Sequence, residues 1–342
     1  MPPDLLLSSP PPKASPDDAV RIVQRWFGLA ADARPLTSER DLNFMMTTAE
    51  GPAFVLKIAN VREDPRILDY QLSALEHVAK ADPTIPVPRV MRAADGTSTV
   101  VVPDATGARH LACLLSFIPG APLAAVPVLD RHPAALGSLL ARLDRALEGF
   151  THEAADRKLQ WDLSHAAELR SLLPHVEDPH LRDMAERVIE DFSTIALPLL
   201  PSLRRQVIHN DLNPHNVIVG NDGRIAGIID FGDMVRAALV NDLATAASYQ
   251  AGRGPAPLGG ALSMIAAYHA AHPLAPEEIE LLPLLIATRT VLTVVITAWR
   301  ASLYPENRDY ILRNVASATS TLGRLDSANR AVASAAIRQT CS

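Results

Sequence analysis

The chain has 342 residues, of which 48% are hydrophobic, enough for one large core or for two lobes that share a cleft. The net charge of −6 argues against a nucleic-acid partner, because nucleic-acid binders usually carry a basic stripe. The balance is typical of a soluble enzyme, and a mildly acidic surface would favour a cationic substrate.

Cysteine usage and hydropathy indicate a cytoplasmic protein with no membrane partner. The chain has only Cys113 and Cys341, so a disulfide framework is not expected. The most membrane-like segment, 281–299, contains prolyl and arginyl interruptions and is predicted to be a buried core helix. Residues 1–17 are rich in Pro and Ser, do not have the pattern of a signal peptide, and predict a flexible tail.

The first part of the chain, residues 18–117, predicts a small β-rich lobe. A first helix ends near Phe27, with Asp17 or Asp18 as its cap. The remaining elements are a helix over 65–80 and strands over 42–47, 53–58, 90–92, 98–102 and 111–117.

Residues 118–326 predict a larger, mostly helical lobe, followed by a frayed tail over 327–342. The predicted elements are helices over 132–148, 164–173 and 179–197, strands over 217–219 and 225–229, and further helices to about 325. The two strands are joined by Gly-Asn-Asp-Gly, a strong hairpin signal. The predicted class is therefore α+β, with a cleft between two lobes that suits a ligand.

One polar loop carries the chemistry. His209 and Asp211 follow an apolar strand, Asn216 lies five residues later, and the hairpin returns the chain to Asp230 before Phe-Gly. This pattern matches the kinase catalytic loop H-x-D-x-x-x-x-N and the later Asp-Phe-Gly. Asp211 is the predicted catalytic base, while Asn216 and Asp230 would hold Mg²⁺, which prefers hard oxygen ligands. Either motif alone could be a structural turn; together, at this spacing, they indicate phosphoryl transfer.

The loop His-Asn-Asp-Leu-Asn-Pro-His-Asn resembles that of the aminoglycoside phosphotransferase superfamily, where Asn210 takes the place of the usual Gly. We expect this change to alter the backbone without removing a ligand. The segments 38–44, 55–60, 298–300 and 305–310 resemble the hydroxylysine kinase branch. The resemblance implies a two-lobed protein-kinase-like fold. It also implies that Asp242, in Asn-Asp-Leu-Ala, braces the catalytic loop, although a helix N-cap explains this residue equally well. His209 is expected to anchor the loop by hydrogen bonding.

The predicted nucleotide side begins at Lys57, which lies in an otherwise apolar strand and would need an anion there. It would contact the α- and β-phosphates; the alternative is an edge-strand lysine that reaches water. The family register places Gln71 where kinases usually have a glutamate, so the carboxylate partner of the lysine stays open. Ser38 and Arg40 are candidate phosphate contacts, although Arg40 could equally pair with a neighbouring carboxylate.

The connector between the lobes resembles the family hinge, so main-chain groups of Ser116, Phe117 and Ile118 are expected to bind the purine of ATP or GTP. The predicted acceptor is an amine-bearing alcohol, with hydroxylysine favoured over homoserine, choline-like alcohols and aminoglycosides. Asp233, Trp161 and Trp299 are candidate substrate contacts. Alternatively, Asp233 is a solvent-facing turn residue, and the two tryptophans are core residues. A nucleotide-binding pseudokinase and an aspartyl-nucleophile phosphohydrolase are the rival functions, and the oligomeric state is left open.

Overall fold

The computed structural model describes residues 11–38, 41–252, 258–325 and 327–342. Its amino-terminal lobe is an antiparallel sheet with two helices. Those elements are α1 (Pro16–Phe27), β1 (Asp32–Leu36), β2 (Leu42–Thr48), β3 (Gly51–Ile58), α2 (Pro65–Ala81), β4 (Val90–Met91), β5 (Val100–Pro103) and β6 (Arg109–Ser116). The strand order is β1-β2-β3-β6-β4, and β5 also pairs with β6. The small β-rich lobe predicted from the sequence is therefore present.

The start of α1 differs from the prediction. Ser15, rather than either aspartate of the first turn, is the N-cap: its side chain accepts the Asp18 N–H, and Asp18 accepts the Ser15 N–H at 2.8 Å. This reciprocal capping box satisfies two of the helix's unpaired donors. The helix begins at Pro16, so the predicted tail over 1–17 extends too far along the chain. Residues 1–10 of that tail lie outside the described residues.

The carboxy-terminal lobe is mostly helical. It contains β7 (Ala121–Pro122), α3 (Arg131–Ala146), α4 (Pro179–Asp191), β8 (Arg205–Ile208), β9 (Val217–Val219), β10 (Ile225–Ile228), β11 (Val235–Ala238), α5 (Val240–Ser248), α6 (Ala261–Ala271), α7 (Pro276–Leu303), α8 (Arg308–Ile311), α9 (Val315–Arg324) and α10 (Ser327–Thr340). The segment predicted as a helix over 164–173 is 3-10 rather than α (Leu163–His175), and α4 ends in a π-helical turn over Phe192–Ala196.

The longest helix, α7, is long and apolar enough to cross a membrane, but 94% of its most apolar window is buried inside the protein. The prediction of a buried core helix is confirmed. Helices α5, α9 and α10 pack against it. One charged side chain lies in its middle: Arg289 is 1% exposed. A buried guanidinium in an apolar helix calls for a partner from another part of the fold.

The predicted carboxy-terminal tail is wrong for most of its length. Residues 327–340 form α10, and Ala333 and Ile337 are buried in the main core. The alternation of small and polar residues in this segment gives a weak hydrophobic signal. The helix is stabilised by packing on its neighbours rather than by its own composition.

The connector and the β9–β10 hairpin fix the arrangement of the lobes behind the cleft. Gly120 in the connector has φ 144, and a Cβ there would lie 2.3 Å from the Val219 carbonyl oxygen, so only glycine fits. The next residues form β7, which pairs with β9. The Ile228 N–H donates to the Pro86 carbonyl at 3.0 Å. The β9–β10 hairpin is thus held against the amino-terminal lobe, which brings its end to the cleft.

Candidate active site

The loop after β8 is ordered by its own side chains. Asn216 donates through Nδ2 to the Asp211 carboxylate (2.8 Å) and to the Asp211 carbonyl (3.0 Å). Asn213 donates to the same carboxylate oxygen at 2.9 Å. These contacts orient the Asp211 side chain, which is 20% exposed. The spacing of the sequence motif therefore corresponds to a direct side-chain contact.

Asp242 braces this loop from behind, which decides between the two predictions made for it. Its carboxylate accepts the backbone N–H of His209 and of Asn210, both at 2.8 Å. It lies in the first turn of α5, whose N-cap position is Leu239, so Asp242 is not the cap residue. Two charge-assisted hydrogen bonds in a buried site fix the backbone strongly.

Asn210 has φ 65, in the left-handed region that glycine adopts most easily. Asparagine is among the side chains that tolerate this region best, so it can replace the glycine typical of the superfamily. The expectation that Asn210 alters the backbone relative to that glycine stays a prediction. The His209 ring contacts the Ile229 carbonyl through Nε2 at 3.2 Å and packs edge-on against Phe231, as expected for an anchor.

A second buried carboxyl group, which was not predicted from the sequence, lies behind Asp242. Asp144 on α3 is fully buried, accepts the Tyr268 hydroxyl at 2.6 Å and lies beside Asp242. Burial, and then the Asp242 charge, raise the pKa of Asp144 well above its ordinary value. The raised pKa favours the protonated form of Asp144 beside the Asp242 carboxylate, which places α3 directly behind the catalytic loop.

The hairpin returns Asp230 to the loop. The Ile229 N–H donates to the Asn216 carbonyl at 2.9 Å, so the two segments are hydrogen-bonded one residue before Asp230. Asp230 has φ 62, a strained backbone for a residue other than glycine, and its side chain is exposed. Its Oδ1 accepts the Gly232 N–H at 3.1 Å.

The donor set at Asn216 and Asp230 fits a divalent cation that also binds phosphates. Asn216 uses its Nδ2 within the protein, its Oδ1 accepts no hydrogen bond from the described residues, and Asp230 is exposed. No cluster of three or more His, Cys, Asp or Glu side chains that could hold a metal occurs in the described part of the chain. Mg²⁺ needs only one or two protein ligands when a nucleotide supplies other oxygen ligands.

Asp211 is electrostatically unusual. Burial and the neighbouring Asp233 raise its pKa to about 7, against the smaller opposing effect of Arg289. A group that is half ionised near neutral pH is well placed to accept a proton. A second carboxylate, Asp230, also raises this pKa, because its negative charge disfavours ionisation of Asp211.

On the opposite side of the cleft, Lys57 has the carboxylate partner that the sequence left open. Its Nζ lies 2.9 Å from Asp41 Oδ2 and donates to Gln71 Oε1 at 3.4 Å. Burial lowers the pKa of Lys57, but the charges of Asp41 and Asp230 outweigh burial and raise it above its ordinary value. Asp230 belongs to the other lobe, so its charge acts on the lysine across the cleft.

The other predicted nucleotide contacts are less well placed. Ser38 is exposed, and Arg40 lies outside the described residues. The N–H groups of Ser116 and Phe117 donate to the Arg89 and Ala53 carbonyls, each at 2.8 Å, so neither is available to a purine. Ile118 follows directly after them. The roles of these residues stay predictions.

Of the candidate substrate residues, the structure places Trp161 at the site and Trp299 away from it. Arg289 Cζ lies 5.1 Å from the Trp161 ring centroid, and Arg289 Nη2 lies 3.4 Å from Asp211 Oδ1. Trp299 is buried in the main core, ten residues further along α7, or about 15 Å. It is a packing residue. Arg289 is the site residue that sequence reasoning missed, although its charge within an apolar helix was the available signal.

Comparison with known proteins agrees with this geometry. The model of a phosphotransferase enzyme family matches residues 32–278. The chain belongs to this family. The resemblance to aminoglycoside phosphotransferases is confirmed, and the chain is a phosphotransferase.

Named relatives are kinases of small molecules. Hydroxylysine kinase of Mus musculus is 28% identical over 319 residues, covering 86% of this chain and 84% of that protein. Homoserine kinase of a Chelativorans species is 30% identical over 259 residues, covering 71% and 72%. Among solved structures, an amicoumacin kinase in complex with AMP-PNP and Ca²⁺ is 14% identical, with a TM-score of 0.61 over 83% of this chain and 87% of that one. The kinase-like two-lobed fold is therefore confirmed.

Proposed function

We propose that the protein transfers the γ-phosphoryl group of ATP or GTP to the hydroxyl of an amine-bearing alcohol. The observation that carries this proposal is the hydrogen bond between Asn216 and Asp211, with Asp230 one residue beyond the backbone bond from Ile229 to Asn216 and with Lys57 on the opposite side of the cleft. Membership of a phosphotransferase family and the kinase names of the relatives support it. Hydroxylysine is the favoured acceptor, with homoserine, choline-like alcohols and aminoglycosides as alternatives.

Asp211 would act as the base. The acceptor hydroxyl donates its hydrogen bond to the Asp211 carboxylate, and its oxygen attacks the γ-phosphorus. The bond from that phosphorus to the β–γ bridging oxygen breaks, and the nucleoside diphosphate leaves with the electron pair. The hydroxyl proton passes to Asp211 and then to water. The protein contributes mainly position and preset charge, as in other phosphoryl transfers.

Lys57 would hold the phosphates, and its pairing with Asp41 keeps it charged and fixed before the nucleotide arrives. Asn216 and Asp230 would hold Mg²⁺, which would supply positive charge against the phosphate oxygens. The amicoumacin kinase with AMP-PNP and Ca²⁺ supports a nucleotide donor and a divalent cation. Asp242 would keep the loop in shape without contacting substrate.

The test is incubation with Mg²⁺ and γ-labelled ATP or GTP across hydroxylysine, homoserine, choline, aminopropanol and an aminoglycoside. Label transferred to an alcohol, recovered as a phosphate monoester, is the expected result. Nucleotide binding without transfer to any acceptor would favour the pseudokinase. Label retained on the protein at Asp211 would favour a phosphoaspartate mechanism instead.

A further inference from the structure

Arg289 is a buried cation whose hydrogen-bonding capacity is largely unused. Its side chain is 1% exposed, and its Nη2 lies 3.2 Å from the Tyr249 hydroxyl oxygen and 3.4 Å from Asp211 Oδ1. Neither Nε nor Nη1 has a hydrogen-bond partner among the residues that the structure describes. Buried polar groups are nearly always paired, so two unpaired donors on one buried guanidinium need an explanation.

The protein does not supply Arg289 with a full counterion. A guanidinium pairs best with a carboxylate through two parallel N–H bonds. The contact with Asp211 is a single long one, and the other oxygen of that carboxylate already accepts from Asn213 and Asn216. A ligand carboxylate would complete the set that the protein leaves open.

The position of Arg289 indicates the acceptor rather than the nucleotide. Its contacts, Asp211, Tyr249 and Trp161, all belong to the carboxy-terminal lobe, while Lys57 approaches from the amino-terminal lobe. The rings of Trp161 and Tyr249 lie 5.1 and 5.8 Å from Cζ and hold the guanidinium in place. Asp233 adds negative charge beside Asp211.

We propose that Arg289 binds a carboxylate of the acceptor, and that the substrate class is therefore hydroxy amino acids. The acceptor hydroxyl lies at Asp211, its carboxylate on Arg289, and its ammonium near Asp233. Decarboxylated amino alcohols and aminoglycosides leave the guanidinium unpaired and are poorer substrates. The inference rests on the proposed function, since it takes Asp211 as the base.

The experiment compares hydroxylysine with its decarboxylated diamino alcohol, and homoserine with aminopropanol, on the wild-type protein. We expect kcat/KM to favour each carboxylated acceptor by about 100-fold, because an analogue that lacks the group leaves buried donors unpaired. The Arg289→Met variant should lose this preference. Apart from any loss common to both acceptors, kcat/KM should fall about 100-fold for hydroxylysine and less than about threefold for the diamino alcohol. Arg289→Lys keeps the positive charge but not the planar set of donors, so its preference for the carboxylated acceptor should lie between those of the wild type and Arg289→Met.

The matched control is Arg204→Met. Arg204 forms an ion pair with Glu278 at 3.0 Å and has no hydrogen bond or ion pair with Asp211 or Arg289, so its loss should lower stability and leave the acceptor preference unchanged. The ratio between paired acceptors also cancels any effect of Arg289 on the base itself. Equal losses for both acceptors would make Arg289 a structural counterion and overturn the proposal. A weaker affinity for nucleotide with an unchanged acceptor ratio would assign it to the phosphates instead.

A measurement on the wild-type protein alone covers the case in which the variants do not fold. Lysine, which lacks the hydroxyl, should bind at least about tenfold more tightly than its decarboxylated diamine, by calorimetry or competition. Equal affinity would overturn the role of Arg289. If the wild-type protein phosphorylates neither kind of acceptor, the proposed function fails, and this binding preference still decides whether the site selects a carboxylate.

Discussion

The two sides of the cleft each present a cation beside a carboxylate, but the two pairs are built differently. Lys57 lies 2.9 Å from Asp41 and has a second contact in Gln71, so its charge is compensated within the protein. Arg289 is more deeply buried, lies 3.4 Å from Asp211, and keeps two donors unpaired within the described structure. The first pair is complete before any ligand arrives. The second is completed only by a ligand, and this difference separates the phosphate side from the acceptor side.

The largest effect is expected on the acceptor side, from Asp211→Asn. The amide keeps the shape of the side chain but does not accept the hydroxyl proton, so turnover should fall by about 10²–10⁴-fold. Nucleotide affinity, which depends on the Lys57 side, should change little. Steady-state kinetics and nucleotide titration on the same preparation check both statements. A variant with wild-type turnover would exclude Asp211 as the base.

On the phosphate side, Asp41→Asn breaks the completed pair while keeping an oxygen that can accept the Asn60 N–H. The lysine loses its counterion, and we expect KM for the nucleotide to rise about tenfold with KM for the acceptor unchanged. The matched control is Gln71→Leu, which removes a single 3.4 Å contact and should have a smaller effect. If Gln71→Leu proved the more damaging change, Gln71 would be the principal partner of Lys57.

A smaller and pH-dependent effect is expected behind the catalytic loop, from Asp144→Asn. The folded-state pKa of Asp144 is raised, so the folded protein holds a proton that the unfolded chain releases above its ordinary pKa of 3.8. Wild-type stability therefore decreases as pH rises above that value. The amide holds no titrating proton, so the variant should gain thermal stability relative to wild type between pH 5 and pH 8.

Melting temperatures measured at both pH values check this sign. A difference between variant and wild type that stayed constant with pH would mean that Asp144 is not protonated in the folded state. Because Asp144 lies beside Asp242, which holds the catalytic loop, turnover should be measured at the same time.

The sequence by itself determined the parts of the site that lie close together along the chain. Asp211 and Asn216 are five residues apart and are bonded, and the predicted hairpin brings Asp230 back to them. Asp242 is bonded to the loop 33 residues before it, as the resemblance implied. These contacts follow from a short loop and a tight turn, whose geometry depends on local residues.

Tertiary structure alone decided the partners of the buried charges. Asp41 reaches Lys57 through the register of β2 on β3, Asp144 reaches Asp242 through the packing of α3, and Arg289 reaches Asp211 across 78 residues. In each case the sequence shows a charged residue whose burial would cost free energy. The partner of that charge, however, depends on how distant elements pack. For Arg289, packing leaves two donor atoms unpaired within the described structure, and we expect the carboxylate of the acceptor to pair with them.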